Sequence, residues 1–109
     1  MTPASADWLE VLAGMDAEEA GYAAFFAAHA ELREPHTVER LHDEVLRILY
    51  ADLDRARRLA RAACALAGDL DDPACRASGL RAMGHVNYAG SHYEEAVRDY
   101  QRALEIFSG

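Results

Sequence analysis

The chain repeats itself. Ala56, Ala60 and Ala63 recur as Ala96, Tyr100 and Ala103 at an offset of 40, and Tyr50-Ala51 recurs as Tyr88-Ala89 at an offset of 38. A turn two residues shorter in the first copy reconciles the offsets. His42, Val45, Leu46 and Leu49 then align with Leu80, Met83, Gly84 and Asn87. A repeat of this length marks a supersecondary unit that cannot bury its apolar face alone, so its copies must stack on one another.

Composition decides what the unit is made of. Hydrophobic residues are 51% of the chain, but 23 of them are Ala, and Val and Ile together number seven against twelve Leu. Strand formers are scarce and helix formers abundant, which predicts an all-α domain with closely packed helices. At 109 residues the chain has room for one core. Helical spacing of Trp8, Val11, Leu12 and Met15 predicts a first helix over about 5–14, with Ser5 as its N-cap. Asp16 is placed to cap a second, in which Tyr22, Phe25, Phe26 and His29 form the stripe. These two read as an N-terminal hairpin over 1–35, ending in the connector Glu31 to Pro35. Two further pairs follow at about 37–70 and 73–108, in the same domain. Their helices run from Thr37 to Tyr50, Leu53 to Ala67, Pro73 to Ala89 and His92 to Phe107, with 68–73 read as a connector.

The second copy, LRAMGHVNYAGSHYEEAVRDYQRAL over 80–104, resembles the tetratricopeptide repeat (TPR) pattern. Leu80 stands in the Trp slot, Met83-Gly84 in the Leu-Gly slot and Tyr93 at the aromatic that opens the second helix. Ala96, Tyr100 and Ala103 fill the remaining small and aromatic slots. Asn87 replaces the family's Tyr, Ser108 stands where Pro is usual, and His42 takes the Trp slot of a degenerate first copy. The connector and leading hairpin are similar to the N-terminal TPR region of bacterial, actinobacterial-style TPR proteins, some of which are fused to caspase-like CHAT domains. The resemblance implies a right-handed α-solenoid of three antiparallel hairpins. The first helix of each pair would line a concave groove.

On that register the groove carries Arg40, Asp43, Glu44, Arg47 and Tyr50 from the third helix and Ser78, Arg81, His85 and Tyr88 from the fifth. Arg and Tyr concentrate binding energy at interfaces. The expectation is a non-enzymatic module that binds a protein or peptide bearing carboxylates. The competing reading of the same residues is a solvated face with salt bridges such as Asp43 with Arg47. A self-association or structural domain is a further possibility for such a chain, and an enzyme a more remote one.

The remaining residues weigh against other chemistry. A formal net charge of −8 and a pI near 5.0 disfavour nucleic acid and anionic membranes as partners. The excess is uneven, with seven acids and one Arg in residues 1–36 against twelve acids and ten Arg in 37–109. Arg55, Arg57, Arg58 and Arg61 form a basic cluster, but Asp52 and Asp54 flank it and no aromatic interleaves. His29, His36, His42, His85 and His92 show no HExxH and no ligand spacing, so neither a metal nor a cofactor is expected. His29 and His42 lie on apolar stripes, which places them at the edge of the core. Cys64 and Cys75 fit no disulfide framework and read as reduced, buried thiols. The adjacent carboxylates Glu18-Glu19, Asp71-Asp72 and Glu94-Glu95 point about 100° apart on a helix and cannot share one substrate. There is no phosphate loop and no nucleophile with a matching base, so no catalytic residue is assigned. The N-terminus has no basic segment and carries Asp7 and Glu10 in its apolar stretch, and no apolar run spans a bilayer, which predicts a cytoplasmic protein.

The last helix places Val97, Tyr100, Leu104 and Phe107 along one side with only Ser108 and Gly109 after them. A repeat array needs a polar cap at its end. The expectation is therefore a piece of a longer TPR protein, or weak homodimerisation through this helix.

Overall fold

The computed structural model describes residues 4–108, with side chains from 8 to 106. The described chain is all helical: α1 (Ala4–Gly14), α2 (Glu19–Ala28), a single 3-10 turn (Ala30–Leu32), α3 (Pro35–Ile48), α4 (Leu53–Leu70), α5 (Pro73–Ala89) and α6 (Tyr93–Ser108). No helix among the described residues is long and apolar enough to cross a membrane.

Local chemistry explains most of the boundaries. The Asp52 side chain accepts from the Arg55 amide at 3.2 Å, and Asp72 accepts from the amides of Ala74 and Cys75 at 2.9 and 3.2 Å. Each satisfies backbone donors that a helix start leaves free. Pro35 and Pro73 occupy first-turn positions, where a missing N–H costs nothing. Several ends differ from expectation. Ser5, expected to cap α1, lies within the helix as described, and its side chain lies outside the described residues; α2 begins at Glu19 behind an extended Glu18, so Asp16 does not cap it. Helix α3 starts at Pro35 and stops at Ile48, which leaves Leu49 and Tyr50 in the turn. Helix α4 runs through Gly68 to Leu70, because Leu70 still packs on the core. Asp71 then ends it in the left-handed region, at φ 54°, with its amide bonded to the Ala67 carbonyl. The connector expected over 68–73 shrinks to Asp71 and Asp72.

Packing is ordered around α4. Helices α3 and α4, α4 and α5, and α5 and α6 pack as consecutive neighbours joined by short turns, and α3 also lies against α5. The core contains Leu41, Val45, Leu59, Leu66 and Val86 from these helices, with Ala56, Ala60, Ala63 and Ala82 between them. Small residues set the spacing. A Cβ on Gly79 would lie 3.2 Å from the Cα of Cys64, so α4 and α5 meet nearly backbone to backbone, and the Cys64 thiol donates to the Gly79 carbonyl at 3.2 Å.

The N-terminal helices attach differently from the expected hairpin. The principal contacts of both α1 and α2 are with α4, and they share no comparable contact with each other. Leu12, Tyr22 and Phe26 are fully buried there. The basic cluster takes part in the attachment: Arg55 donates to Glu10 at 2.8 Å and Arg58 to the Ala13 carbonyl at 3.2 Å. Arg33 pairs with Asp69 at the far end of α4. The uneven charge of the sequence thus has a structural use, since Glu10, ahead of residue 36, meets an arginine after it.

Candidate functional site

Helices α3 and α5 run side by side and present one face together. Arg40 and Tyr50 on α3 and its turn, with Arg81 and Tyr88 on α5, are exposed, Tyr50 by 82% of its surface. Asp43 and His85 lie close to His42, and Ser78 borders a cleft with Arg81; Glu44 lies instead towards Arg55 on α4. Arg47 is also exposed, but its guanidinium donates to both carboxylate oxygens of Glu44, at 2.9 and 2.5 Å. The pair anticipated between Asp43 and Arg47 does not form; the i, i+3 neighbour takes the arginine. The Arg47 hydrogen bond holds the Glu44 carboxyl below its ordinary range.

Three side chains from three helices meet at the centre of this face. The rings of His42 and His85 stack with centroids 5.7 Å apart and planes 25° from parallel. On the other side of His85, the Tyr100 hydroxyl lies 2.9 Å from Nδ1. His42 Nε2 is buried and has no hydrogen-bond partner among the described residues. Burial pushes the pKa of both imidazoles down, and the Arg81 charge adds to this; His42 adds to it for His85, while Asp43 opposes it for His42. Burial pushes the Tyr100 phenol up, with Arg81 pulling the other way.

Arg40 and Arg81 are both exposed and outside every ion pair among the described residues; Arg81 is the one that borders a cleft. It lines an open cleft of about 350 Å³ with Tyr100, Ala103 and Leu104, and on its other flank a smaller one with Ser78, Glu39 and Asp72. Tyr88 meets Tyr93 edge to face at 5.2 Å, which extends the aromatic surface onto α6. Asn87, which departs from the repeat pattern, donates to Asp99 at 2.8 Å and ties α5 to α6.

Two residues of this site do more than the sequence pattern implies. His42 packs at the core edge as expected, but it also forms the floor of the groove. Tyr100, read both as the aromatic packing slot of the repeat and as part of the self-association stripe, packs onto Gly84 and His85, because Gly84 lacks the Cβ that would hold the ring away. Val97 and Leu104 remain exposed on α6, by 52% and 65%, and Tyr93 joins them. The side chain of Phe107 lies outside the described residues. The two imidazoles are visible in the sequence as one residue on each of the two groove helices; the tyrosine from α6 is visible as a packing aromatic and not as their partner.

A larger cleft lies elsewhere, between the start of α2 and helices α4 and α5. It measures about 620 Å³ and is lined by Asp16, Glu18, Glu19, Arg61, Cys64 and Met83. Burial pushes the Cys64 thiol up to about 12, which leaves it protonated and unreactive at neutral pH. Among the described residues no three His, Cys, Asp or Glu side chains come together as a metal site. Comparison with family models, curated proteins and solved structures returns no match.

Proposed function

We propose that the protein is a non-enzymatic interaction module of TPR type, which holds a carboxylate-bearing peptide or protein segment along the shared face of α3 and α5. The observation that carries this reading is Arg81. It is an exposed cation without a carboxylate partner among the described residues, set between a histidine stack and an open cleft walled by Tyr100, Ala103 and Leu104. A carboxylate on the guanidinium and an apolar side chain in the cleft would complete both. Tyr50 and Tyr88 supply rigid, amphipathic area on the same face. The packing of α3 on α5, with α4 and α6 as their second helices, supports the repeat arrangement; a right-handed solenoid is the form the TPR resemblance gives it.

Binding of an acidic peptide by fluorescence anisotropy tests the proposal. Arg81→Ala is expected to weaken the complex by about 1–3 kcal/mol and to leave thermal stability unchanged, since the side chain is exposed. Arg47→Ala is expected to weaken it less, because Glu44 already holds that guanidinium. Equal binding by wild type and Arg81→Ala contradicts the proposal.

A second reading rests on the outer side of α6, where Tyr93, Val97 and Leu104 are exposed together. This strip supports weak self-association; it borders the groove, since Leu104 also walls the Arg81 cleft and Tyr93 meets Tyr88.

A further inference from the structure

Tyr100 belongs both to the histidine stack and to the open cleft. Its hydroxyl lies 2.9 Å from Nδ1 of His85, and the side chain walls the cleft beside Arg81. A phenol has one proton to donate. When His85 is neutral with its proton on Nε2, Nδ1 is an acceptor and the Tyr100 proton is committed to it. When His85 carries protons on both nitrogens, Nδ1–H donates to the phenol oxygen, and the hydroxyl proton is released to any other acceptor in reach, such as one seated in the cleft that Tyr100 walls.

We infer that the His85–Tyr100 hydrogen bond is a proton-controlled donor for a carboxylate seated on Arg81: proton uptake by His85 reverses the bond and frees the Tyr100 hydroxyl to bind that carboxylate. The inference rests on the groove reading proposed above. It gives the Arg81 subsite two recognition elements, one permanent and one available only to the protonated groove.

The charges around the stack set the direction of the effect. From α3 and its turn, His42, Asp43 and Tyr50 face the group; α5 contributes Arg81 and Tyr88; α6 contributes Tyr100, with Asp99 behind it on Asn87; among the described residues no charged group of α4 acts on either ring. In the free protein Arg81 and the neighbouring ring oppose a charge on His85. A carboxylate on Arg81 cancels that field and favours the charge. His42 is the poorer site for the proton, because a protonated ring would bury an Nε2–H with no acceptor. A proton that enters the pair on complex formation therefore goes to His85. Linkage is reciprocal: an acidic partner that raises the His85 pKa binds more tightly at low pH, by up to about tenfold for each unit of the rise.

The test uses the whole chain and a hexaglutamate peptide as probe, with affinity measured at about pH 6 and about pH 8 and constant ionic strength. Nitrogen NMR of the imidazoles follows His85 in parallel, without peptide. Wild type is expected to bind more tightly at the lower pH. Tyr100→Phe, which keeps a ring against Gly84, is expected to lose most of that gain and to alter the His85 Nδ1 signal through its titration. Equal affinity of wild type at the two pH values, or the full gain in Tyr100→Phe, overturns the inference and leaves the groove reading standing. Absence of binding at both pH values contradicts the groove reading itself. The imidazole spectra then decide the bond reversal alone, and a His85 titration unaffected by Tyr100→Phe overturns it.

Discussion

A Cβ built on Gly84 would lie 2.6 Å from Cε1 of Tyr100 and 2.9 Å from Cδ1, closer than carbon atoms of unbonded groups approach. The missing side chain on α5 is therefore what lets an α6 ring reach across to His85. Gly84→Ala is expected to destabilise the fold by about 1–3 kcal/mol through overpacking, against a helix-propensity gain of at most about 1 kcal/mol. Gly68, exposed near the end of α4 with nothing within 4 Å of where a Cβ would sit, is the control. Gly68→Ala is expected to stabilise by about 0.5–1 kcal/mol. Urea titration of the two variants checks both signs.

The histidine stack predicts how stability responds to pH. His42 and His85 are held below their ordinary value of 6.5, so between that value and their folded pKa the unfolded chain binds more protons. Their contribution is present above about pH 6.5 and is lost as the pH falls toward the folded pKa values. Glu44, held below its ordinary 4.5, loses its own contribution only at lower pH. Melting temperatures measured from about pH 8 down to about pH 5 are expected to decline below about pH 7. His42→Leu, which removes the unpartnered Nε2, is expected to flatten that decline; an unchanged slope in the variant contradicts the assignment.

Docking of the N-terminal helices on α4 rests partly on one hydroxyl. Tyr22 is fully buried and donates to the Met15 carbonyl at 2.8 Å, which fixes the chain between α1 and α2. Tyr22→Phe is expected to cost about 0.5–1.5 kcal/mol and to raise hydrogen exchange in α1 and α2 ahead of α5.

Legibility in the sequence follows how local each determinant is. Helix α5 is readable to the residue, because Asp72 and Pro73 start it and Gly90 follows it. The end of α4 is not, since Gly68 and Asp69 read as a turn while the packing of Leu70 carries the helix past them. The position of α1 depends on Arg55 and Arg58 reaching residues 45 positions away, which periodicity does not encode. In the groove, Arg40, Arg81, Tyr50 and Tyr88 follow from helical spacing. Tyr100 is legible as a packing aromatic of the repeat opposite Gly84, but its hydrogen bond to His85 is not, because that depends on the exact approach of α6 to α5.

The exposed side of α6 gives a separate expectation. Tyr93, Val97 and Leu104 present apolar surface in line, and light scattering across a concentration series is expected to show weak self-association that Leu104→Glu abolishes. A strict monomer at the highest soluble concentration, unchanged by the substitution, contradicts it.

The most direct measurement is chemical-shift mapping of an acidic peptide titrated into the isotopically labelled chain. Perturbations are expected to concentrate on Arg40, Tyr50, Arg81, His85, Tyr88 and Tyr100, with α1, α2 and the cleft at Glu18 and Glu19 undisturbed. Perturbations centred on that acidic cleft, or none anywhere, would contradict the claim that the α3–α5 face is the binding surface.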